Sequence, residues 1–300
     1  MNEKKVSVII PIYNAEKYLN DLFICLDNNR FFEGDEVLLV DNNSSDASAD
    51  MCLKRVEQNP ELYRYIKYID KADSYAARNQ GVHKAQGDIL VFTDSDCKPT
   101  EKWISTIRRD LKAGQVFAGD VKLQVVNNGI WECFDSISHL SQSRVHISQN
   151  RVATANMAVF RSDFDRVGMF EERFAGGDFE WSIRAASKGM KIIFSEEALI
   201  WHPSRKTYNE ILTRERRGAY GVGKSAKNHQ RALFPLLMKY FLRIFKFDIY
   251  IKIAHKMKIY DISLLNRMKF VCLFFVIRCK QLQCVIEGYK GVDARIIGVK

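Results

Sequence analysis

Short apolar runs alternate with helix-spaced stretches through the first hundred residues. Val6-Ser7-Val8-Ile9-Ile10 reads as a buried strand ended by Pro11, and Asn14 is placed to cap the helix that follows. Tyr18, Leu19, Leu22, Phe23 and Leu26 then recur at helical spacing. Val37-Leu38-Leu39-Val40 is a second strand, ending in Asp41 and the polar turn Asn42-Asn43-Ser44-Ser45-Asp46. A helix through Ala49 to Val56, a strand near Tyr65 to Ile69 and a helix from Ser74 to Ala85 follow. Gly87 then leads into the strand Ile89-Leu90-Val91-Phe92. Four strands separated by helices predict an α/β domain, a mostly parallel central sheet with helices on both faces.

Beyond it the pattern predicts a helix from Glu101 to Ala113, a strand from Val116 to Val125 and a helix from Ile130 to Leu140. A strand from Thr154 to Phe160 and a short helix at Asp163 to Val167 come next. A helix entered at Gly177 runs to Lys188 and stops at Gly189, and a strand from Ile192 to Trp201 closes on His202-Pro203. An Arg-rich stretch, Lys206 to Lys227, contains Gly218, Gly221 and Gly223 and marks the edge of the main domain. The expected division is a catalytic domain over 1–225 and a mainly helical C-terminal appendage over 226–300. In that appendage Leu233 to Lys258 mixes Leu236, Leu237, Phe241, Ile244 and Phe245 with Lys239, Arg243, Lys246, Lys252, Lys256 and Lys258. Phe247 to Ile253 alternates as a strand would. The apolar run Phe270 to Ile277 falls far short of the ~20 residues needed to span a bilayer.

Charge changes this picture. From Pro203 onward 21 Lys and Arg stand against 6 Asp and Glu, a balance of +15, which leaves −5 for the residues before it out of a total of +10. A mildly acidic body with a basic amphipathic tail points to an anionic surface. The expected place is peripheral, on the cytoplasmic face of the plasma membrane. The alternative is an appendage that covers the domain or pairs with a second copy as a homodimer. Met1 to Lys5 is polar and Val6 to Ile12 is too short an apolar run for a signal peptide. Seven cysteines without paired spacing (25, 52, 97, 133, 272, 279 and 284) suit a reducing compartment, the cytosol.

The candidate chemistry begins where the fourth strand meets Thr93-Asp94-Ser95-Asp96. In an extended chain, side chains two apart point the same way, so Asp94 and Asp96 would project together. Two such carboxylates repel unless a cation sits by them, and Mn2+ or Mg2+ suits oxygen ligands with positions left for phosphate. The alternative is a turn in which both only cap amides. Pro11 to Asn14, Asp41 and the Asp94/Asp96 pair all fall at strand carboxyl ends, where such sheets bind ligands. Asp178 and Glu180 lie in the first turn of a later helix, a place the helix dipole also favours for carboxylates that only cap.

Together these pieces resemble the family-2 glycosyltransferases, inverting enzymes of the GT-A fold, a Rossmann-like sheet, that use nucleotide-diphosphate sugars. The matching residues are Val6 to Asn14, Val40-Asp41-Asn42-Asn43-Ser44-Ser45-Asp46, Ala77-Arg78-Asn79-Gln80-Gly81, and Gly87-Asp88-Ile89 into Thr93-Asp94-Ser95-Asp96. They continue with Ala155-Asn156-Met157-Ala158, Val167 to Glu172, Gly177-Asp178-Phe179-Glu180-Trp181 and His202, in family order over about residues 5 to 203. The resemblance implies that Pro11, Tyr13 and Asp41 line a base pocket, with UDP the first expectation, and that Arg78 approaches the diphosphate. Asp94 would meet the ribose or the metal's water shell, with Ser95 beside it, and Asp96 would bind Mn2+ or Mg2+ directly. His202 would be a second ligand or a packed histidine. Asn156 would contact the donor sugar or satisfy backbone in its strand. Asp178 would be the base that deprotonates the acceptor, with Glu180 in reserve. The acceptor implied is a glycan or lipid-linked acceptor, in bacterial surface polysaccharide synthesis. Two positions depart from the pattern: Gly177 stands where an acidic residue is usual, and Trp181 where Leu is frequent.

A nucleotidyltransferase could use a similar sheet, but it would show a Gly-rich basic loop where Pro11-Ile12-Tyr13-Asn14 stands. A nucleic-acid-binding protein would use the basic tail and leave the three polar sites without a purpose, so no nucleic acid is expected as partner.

Overall fold

The computed structural model describes residues 4–70, 73–138 and 148–298. Among the described residues eight strands form one sheet: β1 (Val6–Ile12), β2 (Glu36–Asp41), β3 (Tyr63–Lys67), β4 (Ile89–Phe92), β5 (Lys98–Pro99), β6 (Gln115–Gln124), β7 (Met157–Phe160) and β8 (Lys191–Pro203). Their order is β3-β2-β1-β4-β7-β6-β8-β5. The first four are parallel, as the alternation predicts, while β7 runs antiparallel to β4 and β6 antiparallel to β7. Both faces are covered, so the central strands are apolar at nearly every position. Val8, Ile10, Leu39 and Val91 pack on one side with Leu22 and Trp103. Ile9, Leu38, Val40, Leu90 and Phe92 pack on the other with Phe164 and Trp181.

The helix Ser74–Lys84 lies against this second face. Gly81 permits the approach, since a Cβ there would stand 2.5 Å from Ile9 Cγ2 and 3.2 Å from Val40 Cγ2. Its N-cap is Asp73, whose side chain accepts from the Tyr75 N–H at 2.8 Å. A fixed helix start matters because Tyr75 and Arg78 project from its first turns.

Several local expectations are corrected. Asn14 does not cap the helix Glu16–Asp27: the N-cap is Ala15, with no side-chain cap bond. Asn14 instead takes a left-handed conformation (φ 46°), and its Oδ1 accepts from Ser45 N–H at 2.8 Å, joining the loops after β1 and β2. Pro11 does not end β1. The strand continues to Ile12, paired to β2 alone once β4 stops opposite Ile9, and a missing N–H is tolerated there. The strand expected from Thr154 opens with a 3-10 turn, Thr154–Asn156, before β7. Phe247–Lys256 is a helix, as expected of the appendage and in spite of its alternation, because Tyr250 and Ala254 bury one turn apart. Phe270 to Ile277 lies inside the 27-residue helix Leu264–Lys290. The helix starting at Ile130 runs to Ser138, and its expected Leu140 end lies outside the described residues.

Among the described residues the chain forms two compact units. The first draws on Met1–Lys122, Leu140–Glu172 and Gly177–Pro203, and the second on Leu123–His139, Arg173–Gly176 and Ser204–Lys300. The second is helical. Its helix Tyr208–Asn228 begins with a reciprocal capping box between Thr207 and Glu210. That helix meets Leu264–Lys290 at glycines: a Cβ on Gly223 would stand 2.1 Å from the Val285 carbonyl oxygen, and one on Gly288 would stand 2.2 Å from that of Tyr220. An aromatic cluster of Trp131, Phe134, Tyr250, Phe270 and Phe274 fills part of its core. The expected boundary at 225 falls inside the helix Tyr208–Asn228. No helix among the described residues is long and apolar enough to cross a membrane.

Candidate active site

Because β1, β2 and β4 are parallel neighbours, their carboxyl ends open on one rim. β4 stops at Phe92, and Thr93 is fixed by its Oγ1 donating to the Ala155 carbonyl at 2.9 Å. The chain then turns, with Cys97 N–H donating to the Asp94 carbonyl at 3.1 Å. Asp94 and Asp96 therefore converge through this turn, rather than through the pleat of a strand.

The two-residue β5 follows at once and pairs antiparallel with β8, Lys98 opposite Trp201 and Pro99 opposite Ile200. One more step in that register sets His202 beside the turn. Its Nε2 lies 3.4 Å from Asp96 Oδ1, and its Nδ1 lies 2.8 Å from the Pro203 carbonyl oxygen. A carbonyl only accepts, so Nδ1 carries the hydrogen and Nε2 is the ring nitrogen turned toward the carboxylate, placed to donate a proton to it or to share a cation with it. Lone pairs facing each other this closely repel unless a proton or a cation lies between them. One ligand atom from each of Asp94, Asp96 and His202 falls within 4.8 Å of the others, and His202 is buried. Two carboxylate oxygens and an imidazole nitrogen form a donor set that fits a divalent ion of the Mg2+ or Mn2+ kind.

Around this group stand the other residues of the rim. Arg78 is buried and ion-paired with Asp94, and its other terminal nitrogen donates to the Ser74 carbonyl at 3.2 Å. Asp41 is also buried. Its Oδ1 accepts from the Ser44 N–H and hydroxyl at 3.0 and 2.6 Å, and its Oδ2 from the Tyr65 hydroxyl at 2.8 Å. Three donors of its own chain thus hold that carboxylate. Tyr13 is 60% exposed and offers a free aromatic face. Pro11 and Ser95 are half-buried beside it in sequence and in the Asp94–Cys97 turn respectively.

Of the two roles expected for Asn156, donor contact or backbone satisfaction, its hydrogen bonds match the second. Asn156 is fully buried. Its Oδ1 accepts from Trp103 Nε1 at 2.8 Å, and its Nδ2 donates to the carbonyls of Asp120 and Ala198, both at 2.8 Å. Gly119 makes room, since a Cβ there would stand 2.3 Å from that Nδ2.

Asp178 opens the helix Gly177–Ser187. Its Oδ1 accepts from the Tyr75 hydroxyl at 3.0 Å and the Phe179 N–H at 2.9 Å, and its Oδ2 from the Thr154 N–H at 3.3 Å. Burial pushes this carboxyl above its ordinary value, opposed first by the Tyr75 hydrogen bond. Glu180 pairs with Arg184 at 2.8 Å, whose guanidinium also donates to the carbonyls of Val167 and Met169. That carboxylate anchors a loop. Trp181 is buried, stacked on Phe164 with centroids 5.0 Å apart, and donates to the Gly168 carbonyl at 2.6 Å, so its role is packing. Sequence reasoning passed over Tyr75, Tyr65 and Ser44. Tyr75 lies three residues before Arg78, hence on the same face of the same helix, and that was the available signal.

Residues 7–167 match the family model described as glycosyl transferase family 2, and residues 113–279 the one described as glycosyl transferase family group 2. The chain belongs to glycosyl transferase family 2. This family-2 glycosyltransferase is 31% identical over 230 residues to glycosyltransferase AglE of Haloferax volcanii, covering 73% of this chain and 72% of that one. Its fold is that of the GT-A enzymes. It superposes on mannosyltransferase PcManGT from Pyrobaculum calidifontis, solved in complex with GDP-Man and Mn2+, at TM-score 0.64 and 14% identity over 98% of this chain and 89% of that one. It is also similar to S. aureus TarS 1-349 in complex with UDP-GlcNAc, at TM-score 0.53 and 14% identity over 98% and 92% of the two chains. Transfer of a sugar from a nucleotide sugar is therefore the activity of this enzyme, in a family where inversion is the norm.

Asn156→Ala in this glycosyltransferase is expected to lower stability by about 1–3 kcal/mol through the unsatisfied Trp103 N–H and two carbonyls, with the donor KM unchanged. Urea unfolding and initial-rate kinetics read the two effects. A normal unfolding midpoint with a raised donor KM would restore Asn156 to the donor site.

Proposed function

We propose that this enzyme uses a UDP-sugar, held with a divalent cation, and passes the sugar with inversion to a glycan or lipid-linked acceptor in bacterial surface polysaccharide synthesis. The observation that carries the reading is the meeting of Asp94, Asp96 and His202 within 4.8 Å at the carboxyl rim of the parallel strands. Those three side chains would hold Mn2+ or Mg2+. When bound, such an ion offsets the negative charge that develops on a departing diphosphate.

The chain's own groups do the rest. Tyr13 and Pro11 flank the base with Asp41 at its edge, and Ser95 stands near the ribose. Arg78, held by Asp94, contributes positive charge on the diphosphate side. Asp178 accepts the proton of the acceptor hydroxyl as the oxygen attacks the anomeric carbon, and the sugar–phosphate bond breaks on the opposite face, giving inversion. The reading assigns catalysis to the region 1–225. Asp178 must be ionised to accept that proton, and its pKa is raised. Activity therefore falls as pH drops through that raised value, and the acidic limb of kcat/KM lies above the ordinary carboxylate range.

The region 226–300 serves as the membrane-facing part, at the cytoplasmic face of the plasma membrane. On the helix Leu233–Ile244 and its C-cap, Phe234, Met238, Phe241 and Phe245 recur at one-turn intervals, and all four are exposed. Lys239, Arg243 and Lys246 lie exposed among and beyond them. An apolar stripe beside cations suits an anionic bilayer surface.

Two outcomes are expected. Asp178→Asn should lower kcat by ~10²–10⁴ while UDP still raises the melting temperature in the presence of Mn2+; a variant that keeps most of its transferase rate would refute the base assignment. In flotation, the protein should rise with vesicles containing phosphatidylglycerol, and Phe234→Ser/Phe241→Ser or high salt should release it. Equal behaviour with purely phosphatidylcholine vesicles, or a salt-resistant dimer that never floats, would overturn the membrane reading.

A further inference from the structure

Gly177 and Tyr75 are fitted to each other. The Tyr75 ring is buried, 6.0 Å from the Phe170 ring, and a Cβ on Gly177 would lie 3.0 Å from both its Cδ2 and its Cε2. The same Cβ would stand 3.0 Å from the Glu171 carbonyl oxygen. Any side chain at 177 therefore presses on the ring that reaches Asp178. The ring also faces the nucleotide side, with the Arg78 guanidinium 5.6 Å from its centroid and Arg78 paired to Asp94.

We propose that Tyr75 is the positioning residue for the base: admitted by Gly177, its hydroxyl holds Asp178 Oδ1 so that Oδ2 is presented to the acceptor hydroxyl. The inference rests on the reading of Asp178 as base. Oδ1 already receives two donors, the Tyr75 hydroxyl at 3.0 Å and the Phe179 N–H at 2.9 Å, whereas among the described residues Oδ2 receives only the longer contact from Thr154 N–H at 3.3 Å. Oδ2 is the oxygen with lone-pair capacity left for an incoming proton. Tyr75 itself does not serve as base. Burial and the neighbouring carboxylate push its phenol far above the ordinary value, so it stays protonated and donates throughout the working pH range. The missing acidic residue at 177 thereby has a local reason: the space is taken by a phenol that donates to Asp178.

The charged and titratable groups that act on Asp178 are Tyr75 and Arg78. Tyr75→Phe removes one and leaves the other, with the ring volume kept. It is expected to lower kcat roughly 10- to 100-fold with the donor KM unchanged. Because the lost hydrogen bond favoured the ionised form, the acidic limb of the rate profile should move to higher pH. Gly177→Ala, by displacing the ring, should reproduce the kcat loss and add little in the Tyr75→Phe background. Thermal unfolding of each variant separates these effects from misfolding, and Tyr75→Phe alone decides the matter if Gly177→Ala does not fold. A Tyr75→Phe enzyme with wild-type kcat and an unmoved limb, beside an inactive Asp178→Asn enzyme, would overturn the positioning role and leave the base in place. An active Asp178→Asn enzyme would remove the base reading itself.

Discussion

Like charges crowded at the end of a buried sheet set the terms for the rest of this molecule. The turn after β4 sets the Asp94 and Asp96 carboxylates close together, and β8 delivers the Nε2 of His202 to the same place. The buried Arg78 offsets part of the negative charge from one side. What remains is a cluster of lone pairs whose mutual repulsion a bound cation would relieve, leaving that cation positions for phosphate oxygens. The surrounding fold works to keep that cluster from relaxing apart: Thr93 is tied to Ala155, Cys97 to Asp94, and His202 to Pro203.

The same logic reaches the second carboxylate centre. Asp178 is held in a desolvated place by two backbone N–H groups and one phenol, a setting that leaves it basic yet oriented. The helix Ser74–Lys84 serves both centres, carrying Arg78 toward Asp94 and Tyr75 toward Asp178. Gly81 lets that helix sit on the sheet, and Gly177 lets its tyrosine reach Asp178. On the proposed reading, donor side and acceptor side share one helix, set by close packing against Ile9 and Val40.

Much of this was legible in the chain because strands buried on both faces leave a strong apolar signal, and polar residues stand out at their ends. The parallel half of the sheet and the Asp94/Asp96 pair were read that way, while His202 entered as a site residue through the family resemblance. What escaped depends on contacts distant in sequence. β5 has two residues, too few for any periodicity, yet it is what aligns His202 with the turn. The choice between two roles for Asn156 stayed open because its partners, Trp103, Asp120 and Ala198, are far apart along the chain. Alternation at Phe247 to Ile253 obscured the helical spacing at which Tyr250 and Ala254 bury.

The central claim is that one cation is shared by Asp94, Asp96 and His202 and meets the nucleotide's phosphates there. Pulsed electron paramagnetic resonance on the enzyme with Mn2+ and UDP tests it directly. The account predicts a nitrogen coupling that disappears in His202→Gln, together with a phosphorus coupling that appears only when UDP is added. Mn2+ bound with neither coupling, or with a nitrogen coupling that survives the substitution, would contradict it.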